Sequence, residues 1–271
     1  MTRHEFLAEL HRRLAPRTYL EIGVKDGRSL ALSRARSIGI DPSARITVDI
    51  VSDAQVVKAT SDAFFARRDP LAHFRGRRSL SDELRRRLSR DRTEEPSPTI
   101  DLAFIDGMHL VEFALRDFMN VERHTTPTSV VVFDDMLPRN VAEAARDRTT
   151  KFWAGDVFKM QAILRAFRPD LIAIPVDTAP TGLLVVLRPD AHDRSLADQY
   201  DAIVADAVQP DPQVVPDAIL ERRDAVAPDD LLSSPVWSAI DSMRAAGTAG
   251  PDLERALSTL DGLVRGRSGG R

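Results

Sequence analysis

Short apolar runs bounded by turn residues recur along the first two-thirds of the chain, at Thr18–Val24, Ser37–Asp41, Gln55–Thr60, Ile100–Asp106 and Ser129–Asp134. Runs of this kind predict strands buried on both faces, as in a parallel sheet. Between the fourth and fifth runs, Leu110, Phe113, Ala114, Phe118 and Val121 recur at helical spacing and predict an amphipathic helix packed on the sheet. Val157, Met160, Leu164 and Phe167 predict a second, which stops before Arg168-Pro169-Asp170. Leu171–Val176 and Gly182–Leu187 are separated only by DTAPT. That linker is too short for a crossover helix, so the two runs predict an antiparallel hairpin. At the N-terminus Phe6, Leu7, Leu10 and Leu14 share one helical face. Alternating strands and helices predict an α/β fold with a doubly wound, seven-stranded, mostly parallel sheet.

The pattern changes near Pro189. Residues 1–188 read as the α/β domain and 189–271 as a helical C-terminal appendage, in which Leu253, Leu257, Leu260 and Val264 mark a last helix before a flexible RGRSGGR end. Such a tail can cover the active site, form an interface between copies of the chain, or close an exposed face. A charged insertion, about residues 75–99, carries Arg85, Arg86, Arg87, Arg90 and Arg92 and reads as a solvated helix and loop. Overall, 38 Lys and Arg oppose 41 Asp and Glu, a net charge of −3. This gives no global field for a polyanion, so no nucleic-acid partner is expected. With no cysteine there are no disulfides or thiolate metal sites. The N-terminus reads as neither signal peptide nor membrane span, so the expected setting is cytoplasmic, with no membrane partner.

Three segments carry candidate chemistry. In the first, Glu21-Ile22-Gly23-Val24-Lys25-Asp26-Gly27-Arg28-Ser29, a strand enters a glycine-bounded turn that is expected to open a helix. Glycine lets a ligand approach backbone N–H groups at a helix start. The E-x-G-x-x-x-G spacing differs from the G-x-G-x-x-G of a pyrophosphate cradle. It suits a sulfonium amino acid, with Glu21 facing the cationic part. The second is Asp41 in Gly39-Ile40-Asp41-Pro42, twenty residues after Glu21, where a carboxylate accepts from both ribose hydroxyls of an adenosine. Ser61 and Asp62 follow the third strand, where they meet an adenine edge or equally well cap the helix DAFFARR. The third is a carboxylate cluster, Asp106 closing the fourth strand and Asp134 with Asp135 closing the fifth. Uncompensated, these would repel, and an all-oxygen set suits Mg²⁺. Asp134 and Asp135 both face that ion only if the chain is already turning at Asp134. His109, three residues past Asp106, is a general-base candidate, with Asp106 the alternative proton acceptor.

EIGVKDGRS, GIDPS, TSDAFF, FIDGMH and VVFDDMLP, in this order, resemble class I S-adenosylmethionine-dependent methyltransferases. The likeness is to the methyltransferase-24 type, which includes macrocin and aminocoumarin sugar O-methyltransferases. It spans about Thr18 to Leu187, and FWAGDVFK resembles a W-x-G-D-V-[WY]-K stretch of bacterial members. The resemblance implies that Gly23, Gly27, Ser29 and Glu21 serve the methionine part of S-adenosylmethionine, Asp41 the ribose, and Ser61 with Asp62 the adenine. It implies Asp106, Asp134 and Asp135 as ligands of Mg²⁺. His109 stands where catechol O-methyltransferase carries a lysine base. The expected reaction is methyl transfer to a small-molecule hydroxyl, on a sugar or natural product, with Trp153, Phe158 and Lys159 near the acceptor. Two competing readings are a nicotinamide-dependent oxidoreductase, disfavoured by the missing third glycine, and a non-catalytic assembly subunit. A homo-oligomer formed through the tail is a further expectation.

Overall fold

The computed structural model describes residues 1–76, 97–246 and 251–268. Helix α1 (Arg3–Leu14) opens the chain with a capping box, in which the Glu5 N–H donates to Thr2 Oγ1 and the Thr2 N–H donates to the Glu5 carboxylate. Then follow β1 (Thr18–Ile22), β2 (Arg36–Ile40), β3 (Ala54–Val57), the short α2 (Ser61–Phe65), β4 (Leu102–Ile105), α3 (Val111–Glu122), β5 (Val130–Phe133), α4 (Met160–Phe167), β6 (Ile172–Val176) and β7 (Leu183–Leu187). The sheet order is β3-β2-β1-β4-β5-β7-β6. The first five strands run parallel, while β7 lies antiparallel between β5 and β6. Each expected strand is present, and the hairpin forms as its short linker requires.

The helices depart from expectation on one face. After the glycine turn there is only a 3₁₀ turn, Leu30–Leu32, and residues 41–53 between β2 and β3 hold no helix. The covering layer comes instead from the two ends of the chain. Beyond β7 lie α5 (Ser195–Asp198), α6 (Tyr200–Ala207), α7 (Asp217–Leu220), α8 (Pro228–Leu232), α9 (Val236–Ala246) and α10 (Pro251–Ser268). Phe6, Leu7, Leu10 and Leu14 of α1 share one core with Trp237, Ile240, Leu253 and Leu257, against Tyr19, Phe104 and Val132 of the sheet. Burial of each such side chain stabilises by about 1.5–3 kcal/mol. Arg244 Nη1 ties α9 to the Leu14 carbonyl at 2.9 Å. On the opposite face Phe118, Leu164 and Ile203 pack on Leu20, Ile105 and Phe133.

The tail therefore closes a face that local sequence leaves open. The Arg-rich part of the insertion (77–96) and the terminal 269–271 lie outside the described residues. Among the described residues no helix is long and apolar enough to cross a membrane.

Candidate active site

Register sets the crevice. Ile22 pairs with both Ile40 and Ile105, and Ile105 with Phe133, so β1, β2, β4 and β5 end level with one another. The next residues, Gly23, Asp41, Asp106 and Asp134, stand side by side at the carboxyl edge of the sheet, where open parallel sheets bind ligands. A cavity of about 1000 Å³ opens there, lined by Gly23, Asp41, Ser61, Asp62, Asp106, His109 and Asp135 among others.

At the β1 end, Gly23 has φ +91°, and a Cβ there would lie 1.8 Å from the Asp106 carbonyl oxygen. Only glycine lets β1 and β4 approach this closely. Asp41 accepts from the Lys25 N–H at 2.8 Å and the Ser43 N–H at 2.6 Å, which fixes its carboxylate at the cavity wall. The cap of α2 is Thr60, whose Oγ1 accepts from the Ala63 N–H at 3.2 Å. Ser61 is thereby freed to donate to Asp117, a short contact across the cavity floor. Burial pushes the Asp117 carboxyl up to about 7. Asp62 pairs with Arg116 at 3.0 Å.

Three residues expected at the cofactor do not line the cavity. Glu21 is fully buried beneath the turn, where it accepts from Tyr19 Oη at 2.8 Å and Ser29 Oγ at 2.6 Å. Burial raises its carboxyl to about 8. Strand alternation explains this: Ile22 and Glu21 point to opposite faces, and Glu21 falls on the side that α1 covers. Ser29 turns inward to Glu21, and Gly27 packs against Ile46. Their work is to shape the turn from behind. No α-helix N-terminus follows it, so the expected helix-start contribution is absent.

The carboxylate cluster divides in two. The Asp134 N–H still bonds to the Ile105 carbonyl at 3.0 Å, in strand fashion, and the chain turns one residue later, where Asp135 has φ +61°. Alternation sends Asp134 towards α1, where it pairs closely with Arg3, and Arg3 Nη1 also lies 3.2 Å from Asp106 Oδ2. Asp135 points the other way. Its Oδ2 lies 2.7 Å from His109 Nδ1, and it accepts from Thr181 in a short bond. His109 Nε2 is 3.5 Å from Asp106 Oδ1. Asp106, His109 and Asp135 each offer a ligand atom within 4.8 Å of the others, a group that differs from the expected three aspartates.

Charge follows this geometry. Burial pushes the His109 imidazolium down, but the Asp135 hydrogen bond and the charges of Asp135 and Asp106 outweigh it and raise the group. Burial pushes Asp135 up, yet His109, Thr181 and Arg3 hold it below the usual carboxylate range. Asp106 is raised to about 6, by burial first and by Asp135, against the lowering influence of Arg3.

FWAGDVFK proves to be a clamp on His109. The Trp153 ring stacks on the imidazole, centroids 5.0 Å apart and planes at 22°. Gly155 has φ +66°, and a Cβ there would meet the His109 carbonyl oxygen at 1.8 Å. Asp156 is fully buried. It accepts from the Val111 N–H at 2.8 Å at the start of α3, and pairs with Arg146 at 2.6 Å and Lys159 at 3.1 Å. Lys159 also reaches Gln213 and the Ala207 carbonyl, and Phe158 packs against Ala144 and Val215. Trp153 lines the cavity as expected, whereas Phe158 and Lys159 stand behind it. The reasoning from sequence missed Arg3, Thr181 and Asp117. Arg3 carries no local signal, since what pairs it with Asp134 is the fold; Asp117 is marked only as an acidic residue among the apolar positions of α3.

Residues 20–136 match a family model described as a methyltransferase domain. No curated protein matches the chain. Three solved structures that resemble it are the cofactor-bound Rv0187 from MTB (14% identity, 70% of this chain and 82% of that one, TM-score 0.48), the SAH-bound Podospora anserina methyltransferase PaMTH1 (12%, 69% and 78%, 0.46), and the O-methyltransferase TomG from Streptomyces achromogenes in complex with SAM (19%, 68% and 78%, 0.39). Overlaps this loose carry no argument about chemistry. The family match covers the strands that bear the glycine turn, Asp41, Asp106 and Asp135, on a sheet with the reversed last strand. Residues 20–136, which hold Gly23, Asp41, Asp106 and Asp135, are thus similar to a methyltransferase domain.

Proposed function

We propose that this enzyme transfers the methyl group of S-adenosylmethionine to a hydroxyl oxygen of a small molecule, with a sugar or other natural-product hydroxyl as the acceptor and His109 as general base. The observation that carries this reading is the oriented imidazole in the cavity wall: Nδ1 is held by Asp135 at 2.7 Å and the ring face by Trp153. With the Nδ1–H directed at the Asp135 carboxylate, the neutral imidazole keeps the Nε2 lone pair for the acceptor O–H. Gly23 and Asp41 hold the cofactor's methionine and ribose portions, and Ser61 with Asp62 borders its adenine. The sulfonium is an activated leaving group, so the remaining task is to align the acceptor oxygen with the methyl carbon. Such positioning supplies about 7–11 kcal/mol in favourable cases. This reading implies a cytoplasmic enzyme acting on a free small molecule.

The donor set fits Mg²⁺ poorly. That ion favours octahedral oxygen ligation with retained waters, while the group within 4.8 Å includes an imidazole and Arg3 already stands on Asp106 and Asp134. Arg3 and His109 balance the carboxylates without a metal.

The test is release of S-adenosylhomocysteine across a panel of sugar and phenol acceptors, followed by His109→Gln with the best acceptor. Turnover should fall about 10²–10⁴-fold, with cofactor affinity unchanged. Full turnover by His109→Gln would remove His109 from the mechanism.

A further inference from the structure

We infer that Arg3 takes over at the carboxylate cluster the charge-balancing role a divalent cation would play, so that this enzyme carries its own cation on α1. The inference rests on the proposed methyl transfer and concerns what balances charge at the acceptor end. Three carboxylates stand at the carboxyl ends of β4 and β5, Asp134 on the α1 side, Asp135 on the other, and Asp106 between the two. Arg3 meets two of them and His109 the third. The clustering that would otherwise call for a metal is thus offset by side chains of the chain itself.

Arg3 is held in place by the backbone around it. It is the first residue of α1, whose capping box fixes Thr2. Thr2 pairs with Ala179, and the Arg3 N–H donates to the Ala179 carbonyl at 3.1 Å, next to the Thr181 that orients Asp135. Phe6, Leu7 and Leu10 anchor the helix in the core. The guanidinium therefore reaches the cluster from a rigid base, and about a quarter of its side chain (27%) stays exposed at the cavity. An arginine keeps its charge and presents several N–H donors in a fixed plane. Donors preset around an oxygen that gains negative charge stabilise the transition state. In the step itself the methyl carbon leaves sulfur for the acceptor oxygen, the acceptor's proton goes to His109, and Arg3 exchanges none.

A divalent ion bound within the same group would lie close to a guanidinium, and that repulsion excludes it. Removing the guanidinium should open the site. The test is calorimetric titration of Mn²⁺ into the full chain saturated with S-adenosylhomocysteine, for the natural sequence, Arg3→Met and Arg3→Lys. We expect no Mn²⁺ uptake by the natural protein or by Arg3→Lys, and at least about tenfold tighter uptake by Arg3→Met. That gain should vanish in Arg3→Met combined with Asp135→Asn. Arg3→Gln replaces Arg3→Met if the latter does not fold. Stoichiometric Mn²⁺ binding by the natural protein overturns the inference, as does failure of both neutral variants to gain it. Failure to bind S-adenosylhomocysteine at the outset would instead sink the methyltransferase reading.

Discussion

At the proposed cofactor end of the crevice, Gly23 and Asp41 come from level strand ends and are fixed by backbone contacts of neighbouring segments. At the proposed acceptor end, Arg3, Asp106, His109 and Asp135 come from separate segments and hold one another by charge, while Asp156 behind them pairs with Arg146 and Lys159. The difference has a consequence for failure. A side chain removed at the cofactor end should cost the ligand its contact and leave the fold intact. One removed at the acceptor end leaves buried partners uncompensated, so stability and geometry go together.

The largest test of this contrast is Asp156→Ala. It strips a fully buried carboxylate from Arg146, Lys159 and the start of α3. We expect a loss of about 3–5 kcal/mol in urea denaturation, with turnover falling as His109 loses its clamp and cofactor affinity of the folded fraction little changed. A loss below about 1 kcal/mol, the range of a surface ion pair, would mean the clamp is ornamental.

Glu21 sharpens the comparison, because it is the buried acid of the cofactor end. Its carboxyl sits at about 8 in the folded chain against 4.5 as its ordinary value. The folded state therefore holds the proton that the unfolded state releases. Stability from this group is full below pH 4.5 and is lost as pH rises through 8. Between pH 5 and 7 the loss amounts to roughly 3 kcal/mol. Glu21→Gln keeps the neutral hydrogen-bonding shape and should flatten that slope, making the variant the more stable protein at pH 8. A variant with an unchanged pH slope would show that Glu21 ionises normally in the folded chain.

The contrast also explains what the sequence made legible. Apolar runs and the short DTAPT linker predict all seven strands and the reversed hairpin, because burial and turn length are local properties. The position of Asp41 and Asp106 at strand ends follows from the same runs. Residues whose role depends on pairing across the chain were misplaced or unseen. Glu21 and Asp134 sit one residue from cavity-facing positions, and strand alternation turns both towards α1. Lys159 looks like an acceptor contact in a motif and is instead satisfied by Asp156 and Gln213. A metal is called for only where such a cluster is uncompensated; Arg3, more than a hundred residues upstream of both aspartates it meets, supplies the compensation. The missing helix after the glycine turn has the same origin, since α1 and α8–α10 cover that face from the two ends of the chain.

The most direct measurement is calorimetric titration of the full chain with S-adenosylhomocysteine, beside Asp41→Ala. The account predicts micromolar binding by the natural protein. It predicts binding roughly ten- to a hundredfold weaker for Asp41→Ala, as loss of a hydrogen bond to a charged group should give, with thermal stability nearly unchanged. No binding by a demonstrably folded protein, or equal binding by Asp41→Ala, would contradict it.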